Sequence, residues 1–237
     1  MDASNEACQA GPRLPLCLPL QSWWILCQMS SRLGEGAGTF SGLLLCAVCL
    51  RCAMQTYQIH RGAGLGFFLQ ALVPLLETAA PFTALLGLDR VLRSPDGTWA
   101  TTLVGLSLLA FAFHWLNGDH STANVLLGGV LLLTAGSDYL TEESKAVATH
   151  SVSILASVTI LIVSIFTGNA YGIAGSLLAG TASLLAGTQL QQLLMLRKRD
   201  VLRCLMAAAN LTWQRALQTQ HRELERGSAE LLAETSD

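Results

Sequence analysis

The sequence predicts an all-α fold: a multi-pass transmembrane helical bundle of about six spans, followed by a C-terminal amphipathic helix. Three observations predict it. Only 13% of the 237 residues are charged, 51% are hydrophobic and the mean hydropathy is +0.46, whereas soluble domains carry about 25% charge. Between residues 94 and 196 the only basic residue is Lys145; a water-facing surface cannot be covered so sparsely, but a lipid-facing one needs no charge. Apolar stretches of spanning length alternate with short polar turns from residue 39 to residue 196.

Residues 1–38 mix Pro, Gly, Ser and Gln and read as a mostly disordered tail. Their apolar run, 14–29, is broken by Pro15, Pro19 and Gln21 and is short for a span; Trp23 and Trp24 form an interfacial patch there. The bundle is expected over 39–196. Its first span is 39–59, with Arg51 inside it, and His60–Arg61 make a short turn. The second, 62–88, would be about 40 Å long as a straight helix against a core of about 30 Å, and Pro74 and Pro81 permit the kinks that fit it. A polar loop with a Ser-Pro-Asp-Gly turn signal covers 89–97. Spans three and four, 99–115 and 121–139, flank the turn LNGDH. After an acidic loop at 141–145, the fifth span is 146–166. Its β-branched run is still expected as helix, because a backbone in lipid must close its own hydrogen bonds. The sixth is 170–190.

After Arg197-Lys198-Arg199 the character changes. Leu202, Met206, Ala209, Trp213, Leu217 and Leu224 share one helical face, and Arg203, Asn210, Gln214, Gln218 and Glu225 another. Residues 197–226 therefore read as a basic amphipathic helix lying on the membrane surface, a candidate docking element for a protein partner. Residues 227–237 read as a disordered tail. About six spans put both termini on one side, with Arg13, Arg32, Arg90, Arg93, Lys145 and the C-terminal basic residues; the other side holds Arg61. The positive-inside rule makes the crowded side cytosolic. Asn210-Leu211-Thr212, the only N-glycosylation sequon, would then stay unmodified. Spans of about 18 residues suit the endoplasmic reticulum or another thin internal membrane better than the plasma membrane.

Several function classes are excluded. No broad basic face exists for nucleic acid. Three of the seven cysteines, Cys46, Cys49 and Cys52, lie inside an apolar helix; their spacing superficially matches an iron–sulfur run, but small thiols packing in a membrane helix account for it. No Ser-His-Asp order, Walker loop or HExxH motif occurs. GAGLGFF lies within a span with no strand before it, so it is no dinucleotide loop. No catalytic residue, cofactor or metal is expected.

Three constellations remain. The turn cluster His114, Asn117, Asp119 and His120 could ligate a metal or relay protons, but its structural reading is a tight Asn-Gly-Asp turn with Asp119 or Ser121 capping the next helix. Arg51 and Glu77 are charges inside spans, each costing about 2.5–3.5 kcal/mol on insertion scales, and are expected to pair with each other. On the sixth span, Gly172, Ser176 and Gly180 form one small-residue face and Gly175, Ala179, Ser183 and Gly187 another. These suit close packing within the bundle or a homodimer seam.

RGAGLGFFLQ (61–70), FAFHWLNGDHSTANVLLGG (111–129) and VTILIVSIFTGNAYG (158–172) resemble the transmembrane protein 276 family of vertebrate multi-pass membrane proteins. FHW-x-NGD is the most specific part. The resemblance runs over roughly 39–220 and implies the same membrane architecture; it brings no activity, cofactor or residue role with it. The leading expectation is a non-enzymatic scaffold or partner-binding protein in the lipid bilayer. The alternatives are a small-solute or ion transporter using Arg51, Glu77 and the His114/Asp119 turn, and an intramembrane enzyme acting on lipid with the histidines as ligands.

Overall fold

Each expected span forms a helix, and the connections show why each ends where it does. The computed structural model describes residues 36–85, 95–188, 192–193 and 196–234. Helix α1 is Gly36–Tyr57, α2 Arg61–Leu85, α3 Pro95–Leu116, α4 His120–Ala135, α5 Glu142–Phe166, α6 Ala170–Gly187 and α7 Lys198–Glu234. The expected N-terminal tail, 14–29 included, lies outside the described residues except for its last three, which open α1. Four helical stretches, within α1, α3, α5 and α6, are long and apolar enough to cross a membrane; α4 is apolar but shorter.

The turns carry their own chemistry. His60 Nδ1 accepts from the Ala63 N–H at 3.2 Å and starts α2. Helix α2 runs unbroken past Pro74 and Pro81. Helix α3 begins at Pro95, taking in the last three residues of the loop expected up to 97, because proline is preorganised for the first helical position. Gly118 takes φ +81°, a left-handed conformation natural to glycine, and Asp119 caps α4 by accepting from the Thr122 N–H at 3.1 Å. A single 3-10 turn, Ser137–Tyr139, precedes Thr141, which caps α5. Asn169 caps α6 after the left-handed Gly168. Two short strands, β1 (Gln192–Leu193) and β2 (Leu196–Arg197), pair antiparallel, Gln192 with Arg197 and Leu193 with Leu196, and reverse the chain between α6 and α7.

Neighbouring helices close a ring in the order α1, α2, α3, α5, α6, α7 and back to α1, with α4 outside it against α3. Phe67, Phe113, Leu109, Ile160 and Trp213 fill the interior with no exposure.

Helix α7 departs most from expectation. It forms over the predicted residues, yet it stands beside α1 and α6 as a ring member instead of lying on the surface. Ser41 bonds Asp200, Cys49 bonds Asn210 and Gln55 bonds Gln214, so α7 runs parallel to α1. Lys198 Nζ donates to Ala186 O at 2.8 Å, and Gln220 Nε2 to Thr167 Oγ1 at 3.5 Å, so it follows α6 from end to end. Its polar residues Asn210, Gln214 and Gln220 are buried. Gly36 and Gln220 consequently sit at opposite ends of the bundle. Helix α7 also continues to Glu234 where a frayed tail was expected from 227, because SAELLAE consists almost entirely of strong helix formers.

Candidate functional site

Two polar groupings stand out: a ladder along α7, and the turn between α3 and α4. The ladder starts where α1 and α7 begin. Ser41 Oγ donates to Asp200 Oδ1 at 2.6 Å, and Arg203 donates to Gly38 O at 2.6 Å, to Ser41 Oγ at 3.3 Å and to the Glu77 carboxylate. About two turns further on, Asn210 Nδ2 donates to Gln70 Oε1 at 2.9 Å and to Cys49 Sγ at 3.1 Å. Cys52 Sγ lies 3.8 Å from both Asn210 O and Gln214 Oε1, and Gln214 Nε2 donates to Gln55. These pairings relieve most of the cost of polar groups at membrane depth, although Gln70 Nε2 and Asn210 Oδ1 are buried without a hydrogen-bond partner among the described residues.

Arg51 and Glu77 do not pair. Glu77 is bound by Arg203, and Arg51 is exposed on the outward stripe of α1 with Leu43 and Met54. The buried stripe of α1, Cys46, Cys49, Cys52 and Thr56, points Arg51 away from α2, while α7 brings a second arginine to the level of Glu77. Ser41, Gln55, Gln70 and Asp200 were absent from the sequence-based candidates. For Ser41 and Gln70 the signal was present as polar residues within apolar helices.

In the α3–α4 turn, His114 is only 5% exposed and Asp119 Oδ2 stands 3.4 Å from its Nδ1. Neither ring nitrogen of His114 makes a hydrogen bond among the described residues. Hydrogen bonds from Thr122 hold the Asp119 carboxyl below the usual carboxylate range, and His114 adds to this. His120 does not converge with them: it leans on Trp115 with ring centroids 4.1 Å apart, and Trp115 stacks on Phe111, which meets His60 at 6.0 Å. Burial lowers the pKa of His60, in keeping with the neutral ring its acceptor role requires. Asn117 is exposed, and its N–H closes the end of α3 onto Phe113 O at 3.2 Å. No group of three metal-ligating side chains gathers among the described residues.

The small-residue faces of α6 divide. Gly172, Gly175, Ser176 and Ala179 are buried, and a Cβ on Gly175 would stand 2.6 Å from Trp213 Cδ1. Gly180 and Gly187 open onto empty space and Ser183 is half-buried, so the seam is their neighbours' alone.

An apolar groove of about 210 Å³ lies between α4 and α5 over α3, lined by Ser107, Ala110, Val125, Gly129, Leu155 and Ala156 among others.

Asn210 is fully buried, so its sequon cannot be reached in the folded chain on either side of the membrane. No glycosidase-sensitive mass shift is expected; a shift abolished by Asn210→Gln would show that α7 does not occupy the ring.

No family model and no solved structure matches the chain. Transmembrane protein 276 of Bos taurus is 43% identical over 193 residues, 81% of this chain and 97% of that protein. The Mus musculus and Homo sapiens proteins are 42% and 41% identical over 191 residues, 81% of this chain and 96% of theirs. The helical bundle, its apolar candidate spans and these relatives agree: the chain is a multi-pass integral membrane protein and belongs to the transmembrane protein 276 family.

Proposed function

We propose that the chain is a non-enzymatic membrane protein that binds a protein partner through the end of α7 that outruns the bundle. The observation carrying this reading is that α7 packs into the ring only as far as Gln220. Arg222 to Gly227 are all exposed, and the helix continues to Glu234, an overhang of about 20 Å at 1.5 Å per residue. A helical extension of a close-packed base presents its exposed residues, Arg222 to Gly227, to a partner at lower entropic cost than an unstructured chain would. The docking role expected of the whole 197–226 helix thus narrows to its last turns. The interior filled by aromatic and aliphatic side chains favours this reading over transport, as does the outward position of Arg51. The separation of His120 from His114 favours it over a metal-dependent lipid enzyme.

Sidedness follows from charge. The end where α1 and α7 begin has Lys145, Arg197, Lys198, Arg199 and Arg203, and in sequence Arg90 and Arg93 fall between α2 and α3; the other end has Arg61, Arg215, Arg222 and Arg226. The positive-inside rule supports a cytosolic start of α1 and an arm on the lumenal or outer side. The 16-residue α4 and 18-residue α6 suit a thin internal membrane such as the endoplasmic reticulum.

The test is affinity capture in mild detergent with mass spectrometry, comparing the full chain with one ending at Gln220. Truncation before Asp200 would remove a ring helix and report only misfolding. Loss of a stoichiometric partner on removing 221–237, with unchanged thermal stability, is expected. A partner retained by the truncated chain would refute the arm as the docking element.

A further inference from the structure

Helices α1 and α7 run parallel and touch through Cys52 and Gln214, whose Sγ and Oε1 are 3.8 Å apart, and through Gln55 and Gln214. In two parallel helices, the residue before such a contact on one and the residue after it on the other turn to the same side of the seam, because successive side chains rotate by about 100° in the same sense. Ala53 and Trp213 take one side and are buried in the core; Arg51 and Arg215 take the other and are exposed. Both guanidinium groups lie near enough to Cys52 to act on its thiol electrostatically. Neither is in an ion pair among the described residues. Helix α1 has no acidic residue, and the first carboxylate of α7 past Arg215, that of Glu223, comes two turns on, about 12 Å. Arg51 lies about 9 Å before the end of α1 at Tyr57, and Arg215 about one turn before Gln220, where α7 leaves the ring. Two bare cations on a surface that meets lipid are costly unless an anion joins them. We propose that the outer seam of α1 and α7 is a phospholipid site, with the lipid phosphate held between Arg51 and Arg215.

The occupant follows from charge and depth. Gln214 faces both Cys52 and Gln55, which puts Arg51 and Arg215 about 5 Å apart in height, so that their long stems can converge on one group and carry their charges to the interface. Each planar fork matches a pair of phosphate oxygens, and two forks on different helices suit the several oxygens of a phosphate better than a single carboxylate from a partner helix. Tyr57, more than half exposed at the end of α1, is a side chain of the kind that anchors at head-group level. Toward the middle of the membrane, Ala47 and Leu43 follow Arg51 at one and two turns and are exposed, a lane for an acyl chain. A second copy of this chain does not fit. Copies in one membrane share an orientation, so Arg51 would meet Arg51, and Glu77 is taken by Arg203 near the other end of α1. The site lies in the packed part of α7 and is independent of the arm beyond Gln220.

The full-length protein in mild detergent is titrated with phosphatidylglycerol and read by native mass spectrometry, beside a diacylglycerol of the same chains and with glycerol phosphate as competitor. One phosphatidylglycerol per chain is expected, bound at least tenfold more tightly than the diacylglycerol and not displaced by glycerol phosphate. Arg51→Gln with Arg215→Gln should weaken phosphatidylglycerol at least tenfold and leave the diacylglycerol unchanged. Arg197→Gln with Arg199→Gln, the same loss of charge at the opposite end of α7, should change neither. Equal binding of the two lipids overturns the proposal. So does an Arg51→Gln, Arg215→Gln protein that binds like the parent, or an Arg197→Gln, Arg199→Gln protein that is weakened as much. Displacement by glycerol phosphate would make this a site for soluble anions, and a stoichiometric membrane protein held through Arg51 in place of lipid would make it a protein contact; either overturns the lipid assignment. The comparison of the two lipids, and the single variants Arg51→Gln and Arg215→Gln, each expected to weaken phosphatidylglycerol at least threefold, decide the matter even if the double variant fails to fold.

Discussion

Arg203→Ala is expected to cost about 3 kcal/mol or more of stability, whereas Arg51→Ala should fall within about 0.5 kcal/mol. Arg203 is 13% exposed at its side chain and holds three acceptors from two other helices: Glu77, Gly38 O and Ser41 Oγ. Its loss leaves a carboxylate at membrane depth without a counter-ion. Breaking a buried pair costs about 3–5 kcal/mol because the stranded charge is not resolvated. Glu77 is half open, at 49%, which places the expectation at the lower end. Replacing both partners, Arg203→Leu with Glu77→Leu, should recover much of the loss, since leucine is at home in lipid. Arg203→Lys should not, because one ammonium cannot reproduce a planar fork shared among three acceptors. Thermal unfolding in detergent of the singles, the double and Arg51→Ala measures all of this. An Arg203→Ala protein as stable as the parent, or a double variant no better than its worse single, would remove the pair from any account of how α7 is held.

Gly175→Leu should be strongly damaging, while Gly180→Leu, five residues away on the same helix, should be silent. A Cβ on Gly175 would come within 2.6 Å of Trp213 Cδ1 and 2.8 Å of Thr212 Oγ1, closer than real side chains approach. Trp213 is fully buried and cannot swing aside without emptying the ring core. Overpacking typically costs about 1–3 kcal/mol, and a leucine here adds three further carbons to the first clash. Pushing α7 away would also stretch the bonds that register it on α6, from Asn169 Nδ2 to Ala216 O at 2.9 Å and from Trp213 Nε1 to Ser176 Oγ at 3.4 Å. Trp213→Ala approaches the same seam from the other side and should cost about 3–5 kcal/mol through the cavity it leaves. Gly180 meets nothing within 4 Å, so leucine there only adds lipid-facing surface. Equal stabilities for the two leucine variants would mean that α6 packs through a different face.

Much of this architecture is legible in the residues because its causes are local. A chain in hydrocarbon must satisfy each N–H and C=O nearby, so an apolar run of spanning length has one outcome, helix. The turns announce themselves for the same reason: Asn117-Gly118-Asp119 needs a left-handed residue and a cap, and Gly118 and Asp119 supply them within three positions. The sixth-span faces were half legible. Spacing identified which small residues share a stripe, and the neighbouring Trp213 decided which of them form a seam.

Helix α7 marks the boundary between the two kinds of knowledge. Periodicity alone determined that residues 198–226 have a polar and an apolar face, and nothing more. Where each face points depends on the surroundings: the polar face meets Ser41, Cys49 and Gln55 of α1 and Gln70 of α2, while Trp213 and Leu217 of the apolar face are buried as well. The same holds for the charges. Sequence position marked Glu77 as a carboxylate in need of a cation and offered Arg51 across a tight turn. The cation that reaches it, Arg203, lies 126 residues further along the chain. Only the closing of the ring brings that distance to zero, because local spacing specifies helices, and long-range packing alone chooses which of their faces meet.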